Sequence, residues 1–307
     1  MTDSNTSWGA AWPRLRVSDW SDTKDTVHMW TQIVGKVRMA HAPRVNHWWH
    51  TTLYVSPRGL TTTAVPYRDG AFDIEFDFLD HQLRLRTSDG RQRQVPLAPK
   101  PVAEFYTEVM DALGELDVRT RIHAAPNEVE PAIPFAEDYQ HRAYDPHAVE
   151  LFWRQLLQAN RVLAEYRSRF IGKTSPVHFF WGAMDLACTR FSGRSAPPHP
   201  GGAPNCPDWV MREGYSHELA SCGFWPGGGD EGAFYAYAYP EPPGYGNQPA
   251  RPAEALYTAG EFLLPYEAVA AAPDPDQVLA EFLDATYAAA ADLAGWDRVA
   301  LESPAGH

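Results

Sequence analysis

The sequence lacks the signatures of several large protein classes. Its 307 residues include only three cysteines, Cys188, Cys206 and Cys222, whose number is odd and whose spacing matches no metal-binding motif. No run approaches the ~20 apolar residues of a membrane span, and the polar first residues have neither the basic nor the apolar part of a secretory signal. We therefore expect a reduced, cytoplasmic protein.

Basic segments are missing as well. Lys and Arg total 26 against 39 Asp and Glu, which gives a formal net charge of −13, and no run of basic residues offsets it. Such a chain repels the phosphates of nucleic acids and of anionic membranes. We therefore expect a small-molecule ligand rather than nucleic acid or membrane, and the sequence does not define the oligomeric state.

Motifs for nucleotide cofactors and for familiar hydrolases are also absent. There is no Gly-rich phosphate loop after a strand, no Gly-x-Ser-x-Gly and no His-Glu-x-x-His, so no nucleotide cofactor is indicated. Gly227-Gly228-Gly229 follows a proline between two predicted strands and is interpreted as a turn.

Aromatic residues, in contrast, are abundant: 13% of the chain, with 11 Trp. The segment 47–50, His-Trp-Trp-His, leads into a predicted strand that ends at 57–59, Pro-Arg-Gly. A related segment, His-Phe-Phe-Trp at 178–181, opens a longer extended, apolar stretch. Both segments follow a long amphipathic helix, so we interpret them as two copies of one structural unit.

The pattern of periodicity predicts an α+β fold. A helix, an aromatic-rich strand, an antiparallel sheet and a second helix follow one another twice, which indicates an internally duplicated unit forming two lobes with pseudo-two-fold symmetry. The corresponding tryptophans, Trp30 and Trp153, are 153 − 30 = 123 residues apart. We expect one domain, 1–307, with lobe 1 at 19–123, a Pro-rich connection at 124–146 and lobe 2 at 147–297.

Some local elements are predicted in more detail. Ser21 or Asp22 is expected to cap the first helix, residues 118–122 are expected to form a short strand, and about five strands are expected over 48–97. In one of these strands Asp73, Glu75 and Asp77 alternate with phenylalanines and isoleucine, which predicts a solvated acidic face that Arg84 and Arg86 of the next strand can pair with.

Histidines and a carboxylate suggest a metal centre. Three imidazoles with a carboxylate suit a divalent transition metal such as Zn or Fe. The alternative is that these histidines are packed or hydrogen-bonded to the backbone, because their spacing lacks the regularity of a ligand motif. The candidate ligands are His47, His50, His178, His217 and Glu218.

Asp185 is a second candidate because it interrupts an apolar run. A buried carboxylate must be paired or must have a shifted pKa, so Asp185 is either half of an ion pair with Arg190 or Arg194, or a general acid or base. Nearby aromatic residues are expected to line a pocket or, equally, to fill a core between the lobes. The candidate ligand-binding residues are Trp48, Trp181, Arg190, Trp225, Tyr235 and Tyr237.

Several motifs together resemble an uncharacterised bacterial domain-of-unknown-function family. They are His-Trp-Trp-His-Thr-Thr-Leu-Tyr at 47–54, Ser-His-Glu at 216–218, Gly-Phe-Trp-Pro-Gly at 223–227 and the tyrosine-rich segment 234–242. The resemblance spans nearly the whole chain. It implies a bacterial single-domain protein and transfers no established activity.

These observations favour an enzyme that acts on a small molecule in an aromatic pocket between two lobes, with a metal as an optional cofactor. The alternatives are a small-molecule-binding protein without catalysis and an interaction module that uses the Pro-rich loops at 195–208 and 240–253.

Overall fold

The computed structural model describes residues 10–303. These residues form seven α-helices and two six-stranded antiparallel sheets, which confirms the predicted α+β class. The helices are α1 (Val17–His41), α2 (Val102–Glu115), α3 (Pro146–Ser168), α4 (Asp208–Gly214), α5 (Tyr266–Ala270), α6 (Pro275–Leu293) and α7 (Arg298–Leu301). The strands are β1 (Tyr54–Ser56), β2 (Gly59–Thr61), β3 (Val65–Tyr67), β4 (Gly70–Asp77), β5 (Gln82–Thr87), β6 (Gln92–Pro96), β7 (His178–Phe180), β8 (Asp185–Ser195), β9 (His217–Trp225), β10 (Ala233–Tyr239), β11 (Leu256–Thr258) and β12 (Glu261–Pro265).

The first sheet, sheet 1, is built from β1 to β6. Its order is β1-β2-β4-β5-β6, with β3 paired to β4. Alternation along β4 buries Phe72, Ile74 and Phe76 on one face, because successive side chains of a strand point to opposite sides. This face packs in the core with α1 and α2.

The acidic face of β4 lies opposite β5, as its pattern predicts. Asp73 pairs in register with Arg86 and Glu75 with Arg84. The expectation of a solvated face is wrong for two of its residues, since Glu75 is 8% and Asp77 0% exposed. Burial is possible there because the arginines of the sheet supply hydrogen bonds and charge.

The second sheet, sheet 2, has the order β11-β12-β10-β9-β8-β7. One face carries core residues such as Leu186, Cys188, Phe224 and Phe234 and packs on α3 and α6. The opposite face carries the intervening side chains and is turned toward α1. Sheet 2 therefore has one packed face and one face that is free to form the floor of a site.

A short antiparallel bridge joins the two sheets. Leu53 N donates to Phe179 O over 2.9 Å, and Phe179 N donates to Leu53 O over 2.7 Å. Next to this bridge, Trp181 Nε1 donates to Thr51 O over 2.8 Å. The two aromatic-rich segments, 47–50 and 178–181, therefore meet at the junction of the sheets.

Several local predictions are corrected. Helix α1 begins at Val17, upstream of Ser21 and Asp22, residues 118–122 form no strand, and sheet 1 has six strands rather than about five. Propensity did not identify α4, α5 and β11, each of which is seven residues or shorter. Both halves have the order helix, sheet, helix, whereas the internal duplication stays a prediction.

Within residues 10–303, no helix has the length and apolar character needed to cross a membrane. All three cysteines are free, and two of them, Cys188 and Cys222, are buried in sheet 2.

Candidate functional site

A cavity of about 620 Å³ lies on the open face of sheet 2. Its floor is formed by β8, β9, β10 and β12, and its walls come from α1, from residues 123–128, from residues 47–51 and from α4 with the residues before it. The volume is within the range of small-molecule sites. The cavity is thus built by segments from both halves of the chain.

Strand alternation determines which residues of β8 reach the cavity. Asp185, Ala187, Thr189 and Phe191 line it, whereas the residues between them point to the core face. Because the side-chain period of a strand is two, an odd-numbered residue of this segment faces the ligand space. Asp185 is the first residue of the strand and the charged one of the four.

The Asp185 carboxylate is held by Tyr235 on β10. Tyr235 Oη donates a short hydrogen bond to Asp185 Oδ2. Gly223 lies between the two strands, paired in register with both Ala187 and Tyr235, and a Cβ there would lie 2.5 Å from Tyr235 Oη. Glycine at this position therefore makes room for the tyrosine hydroxyl that orients the carboxylate.

The electrostatic surroundings of Asp185 favour its protonated form. Burial raises the pKa of Asp185 to about 7, although the hydrogen bond from Tyr235 acts in the opposite direction. The acidic neighbours Glu128 and Glu261 raise it further. A carboxyl with a pKa near neutrality can both donate and accept a proton at physiological pH.

Two further carboxylates line the cavity, Glu128 and Glu261. Among residues 10–303 neither has an ion-pair partner within 4.0 Å. Glu128 Oε1 lies over Gly182, where a Cβ would be only 2.2 Å away. Loss of solvation raises the pKa of both groups. The acidic side chains of the cavity thus have no basic residue that neutralises them.

Lys36 is the basic side chain on the α1 wall. It is 1% exposed and lines the cavity, and its Nζ donates to Asn127 Oδ1. Burial lowers the pKa of Lys36 to about 8. A lysine buried in this way can exist as a neutral amine at physiological pH.

Ten Trp, Tyr and Phe side chains line the cavity. Trp209 and Trp225 are 55% and 44% exposed and lie at the mouth. Of the aromatic residues that the sequence proposes for ligand binding, five line the cavity: Trp48, Trp181, Trp225, Tyr235 and Tyr237.

Arg190, the sixth candidate ligand-binding residue and the one that is not aromatic, lies on the opposite face of sheet 2. It is 2% exposed, its Cζ is 3.5 Å from the centre of the Tyr166 ring, and its guanidinium donates to Tyr166 O. Arg190 is therefore not a cavity residue. It is also not the partner of Asp185, because it follows Asp185 by five positions and an odd separation on a strand reverses the face.

Two of the five predicted metal ligands lie together. The His47 and His217 rings are 5.6 Å apart between centres. His47 Nδ1 is 2.8 Å from Gly214 O, so Nδ1 donates, and His47 Nε2 accepts from Lys173 Nζ over 2.6 Å. Both nitrogens of His47 are therefore used, and this neutral tautomer has no lone pair left for a metal.

The other three candidate ligands are separated. His50 Nδ1 lies 3.2 Å from Val45 O, and Glu218 accepts from Arg194 and from Ser192. His178 is 0% exposed and contacts Thr52, and burial lowers the pKa of His178 to about 3. Within the described chain no three His, Cys, Asp or Glu side chains form a metal-binding group, so the predicted five-residue centre is not assembled.

Five of the ten non-glycine residues with a positive φ among residues 10–303 line the cavity or directly precede a lining residue. The lining residues His47, Trp48 and Glu128 have φ values of 56°, 61° and 59°, which non-glycine residues rarely adopt. Met184 and Asn205, at 61° and 49°, precede the lining residues Asp185 and Cys206. Such conformations cost on the order of 1–3 kcal/mol each and are typical of functional sites.

The geometry can be compared with known proteins. The model of a family of unknown function, DUF5996, matches residues 12–303. The chain belongs to the DUF5996 family. Neither the curated proteins nor the solved structures include a match. The DUF5996 assignment covers every residue of the cavity and agrees with the resemblance found in the sequence.

Sequence reasoning missed Lys36, Glu128 and Glu261. A signal existed for Lys36, which lies between the apolar Val34 and Val37 in a helix that is buried on nearly all sides. Glu128 lies in an irregular connection, where no periodicity indicates which side chains point inward.

Proposed function

We propose that this protein is an enzyme that binds a small, largely apolar molecule in the cavity on sheet 2 and uses Asp185 as a general acid or base. The observation that carries the proposal is a carboxyl with a pKa near 7 on the floor of an aromatic-walled cavity of about 620 Å³. Proton transfer is most efficient when the pKa of the catalytic group lies near the working pH.

Tyr235 has a positioning role in this proposal. Its hydroxyl holds one carboxyl oxygen, Oδ2, and leaves Oδ1 available to the ligand. A bound molecule with an acidic C–H, N–H or O–H group transfers its proton to the ionised form of Asp185, and the protonated form returns one to a developing anion. The apolar walls strengthen both interactions because they lower the local dielectric constant.

The cavity also supports a second candidate function, binding without catalysis. Aromatic and aliphatic side chains outnumber the charged groups in its lining, which is the usual character of ligand-binding pockets. The Pro-rich segment 195–208 contributes Cys206 and Pro207 to the cavity wall. This supports a role for that loop in ligand binding rather than in docking another protein.

Intrinsic fluorescence provides the binding test. Five of the 11 tryptophans line the cavity, so a bound compound should change the emission. We would screen a panel of small aromatic and cyclic metabolites by fluorescence and then follow each binder by mass spectrometry for conversion.

Asp185→Asn is the decisive variant, and Asp73→Asn in sheet 1 is the matched control. A converted compound should be turned over about 10²- to 10⁴-fold more slowly by Asp185→Asn, with binding retained and the control unaffected. Conversion by Asp185→Asn at the wild-type rate would refute the acid–base role. Binding without conversion by the wild type would favour the second candidate function.

A further inference from the structure

The chain uses lysine sparingly. Of its 26 basic residues only four are lysines, which leaves 22 arginines. Lys24 pairs with Asp25 and Lys100 with Glu108. The other two, Lys36 and Lys173, are at the cavity wall or next to it.

Lys36 differs from Lys24 and Lys100 in its partner, and it differs from the half-buried Lys173, which donates to the neutral His47, in being fully buried. Within residues 10–303 no carboxylate lies within 4.0 Å of its Nζ, and its acceptor is the neutral amide oxygen of Asn127. The Trp181 ring centre is 5.4 Å from Nζ. A buried ammonium without an anion is unfavourable, so this environment favours the neutral amine.

The acceptor is held in a fixed position. Asn127 N donates to Gln32 Oε1 over 2.8 Å, and Gln32 Nε2 donates to Asn127 O over 2.7 Å. Asn127 Nδ2 in turn donates to Asn205 O. These bonds direct the amide oxygen toward Lys36, where it accepts one N–H and leaves the nitrogen lone pair free.

A purely structural role would not require lysine. Methionine would fill the same volume without burying a charge, and arginine, which this chain otherwise prefers, stays charged at all physiological pH values. A primary amine in an apolar pocket has a specific chemical use, because desolvation makes it a nucleophile near neutral pH.

We propose that Lys36 is a nucleophilic amine that condenses with an aldehyde or ketone bound in the cavity. The nitrogen lone pair attacks the carbonyl carbon and forms a C–N bond. The C–O bond then breaks, and the oxygen leaves as water with the two hydrogens of the amine, which gives an imine. This inference rests on the proposed function, since it names the substrate class of the same cavity.

Reductive trapping tests the inference without knowledge of the natural substrate. Wild-type protein is treated with benzaldehyde and sodium cyanoborohydride at pH 7.5, and the four lysines are mapped by peptide mass spectrometry. Lowering the pKa of Lys36 from 10.5 to about 8 raises its neutral fraction on the order of a hundredfold at this pH.

We therefore expect Lys36 to be labelled at least about tenfold faster than Lys24 or Lys100, although both are more exposed, at 20% and 11% against 1%. The preference should disappear in denaturant. Equal labelling of the lysines in the folded protein, or labelling of Lys36 only after unfolding, would overturn the inference.

Lys36→Arg and Lys173→Arg are the matched variants. Both keep the positive charge, but only Lys36→Arg should abolish the rapid adduct in the intact mass spectrum. Asp185→Asn separates the two proposals, because it should leave the labelling of Lys36 in place. Compounds that bind and are converted while Lys36 stays unlabelled would overturn the inference and leave the proposed function intact.

Discussion

Two groups of three carboxylates, one on sheet 1 and one lining the cavity, differ in their surroundings. On sheet 1, Arg86 bonds Asp73 and Glu75, and Arg58 and Arg84 bond Asp77. In the cavity, the carboxylates of Asp185, Glu128 and Glu261 have no arginine or lysine partner within the described residues. The chain therefore neutralises one acidic group completely and leaves the other unneutralised.

The pKa values of two aspartates express this difference. Burial alone would raise the pKa of Asp77, but hydrogen bonds from Arg58, Arg84 and two backbone amides lower it to about 2. For Asp185 the loss of solvation is opposed mainly by one neutral hydroxyl, and its pKa rises to about 7. The comparison shows that a carboxyl taken out of water keeps a low pKa when arginines bind it, and acquires a raised pKa when it has no basic partner.

The largest expected effect is that of Asp77→Asn. The substitution removes the charge that two arginines and the amides of Leu79 and Asp80 bind, so it leaves buried donors without their acceptor. We expect the free energy of unfolding to fall by about 3 kcal/mol, measured by urea denaturation at pH 7. A decrease in the free energy of unfolding below about 1 kcal/mol would mean that water solvates Arg58 and Arg84 well enough to replace their bonds to Asp77.

Asp185→Asn, in contrast, should increase the free energy of unfolding above neutral pH. Because the folded-state pKa of Asp185 is raised from 3.8 to about 7, the folded protein binds the extra proton and loses stability as the pH rises through this window. We expect the variant to gain on the order of 2 kcal/mol at pH 8, and this gain should vanish near pH 4. Urea titrations at the two pH values measure it, and a variant less stable than wild type at pH 8 would contradict it.

The contribution of Asp77 to folding stability should have the reverse pH dependence. Its folded-state pKa lies below the ordinary value, so its contribution is present above pH 4 and is lost as the pH falls toward 2. The same titrations on Asp77→Asn provide the comparison, since the destabilisation by this variant should shrink only in strong acid.

The smallest effect concerns the two faces of sheet 2. Ala236 lies in the packed core, whereas Ala187 lines the cavity. We expect Ala236→Val to cost about 1–2 kcal/mol through overpacking and Ala187→Val to cost less, because Ala187 borders the cavity although both alanines are 3% exposed. Thermal unfolding of the two variants measures the difference; equal losses would show that the cavity side is as tightly packed as the core.

The sequence predicted the long elements and the partners in sheet 1 because those depend on local periodicity. The α+β class, the helices α2, α3 and α6 and the opposition of Asp73, Glu75 and Asp77 to Arg84 and Arg86 all follow from side-chain alternation and caps. Asp185 was recognisable because a charge within an apolar run requires an explanation.

Five aromatic residues proposed from the sequence also line the cavity, but the way in which the site residues converge could not be predicted, for physical reasons. Whether His47 and His50 converge depends on the two left-handed residues His47 and Trp48, and no propensity anticipates them. The cavity also requires Lys36, Glu128 and Tyr235 to meet from distant segments. Contacts between such distant residues are determined by tertiary packing, which cannot be derived from the local pattern of a single sequence.

The bridge between Leu53 and Phe179 has a consequence for how the protein can be divided. Cutting the chain at 124–146 would expose the edge of β1 on one piece and of β7 on the other, and unpaired edges promote aggregation. The two pieces should therefore be insoluble when expressed separately and recover native structure only when produced together. The molecule is accordingly a candidate for a split reporter whose reassembly restores the cavity.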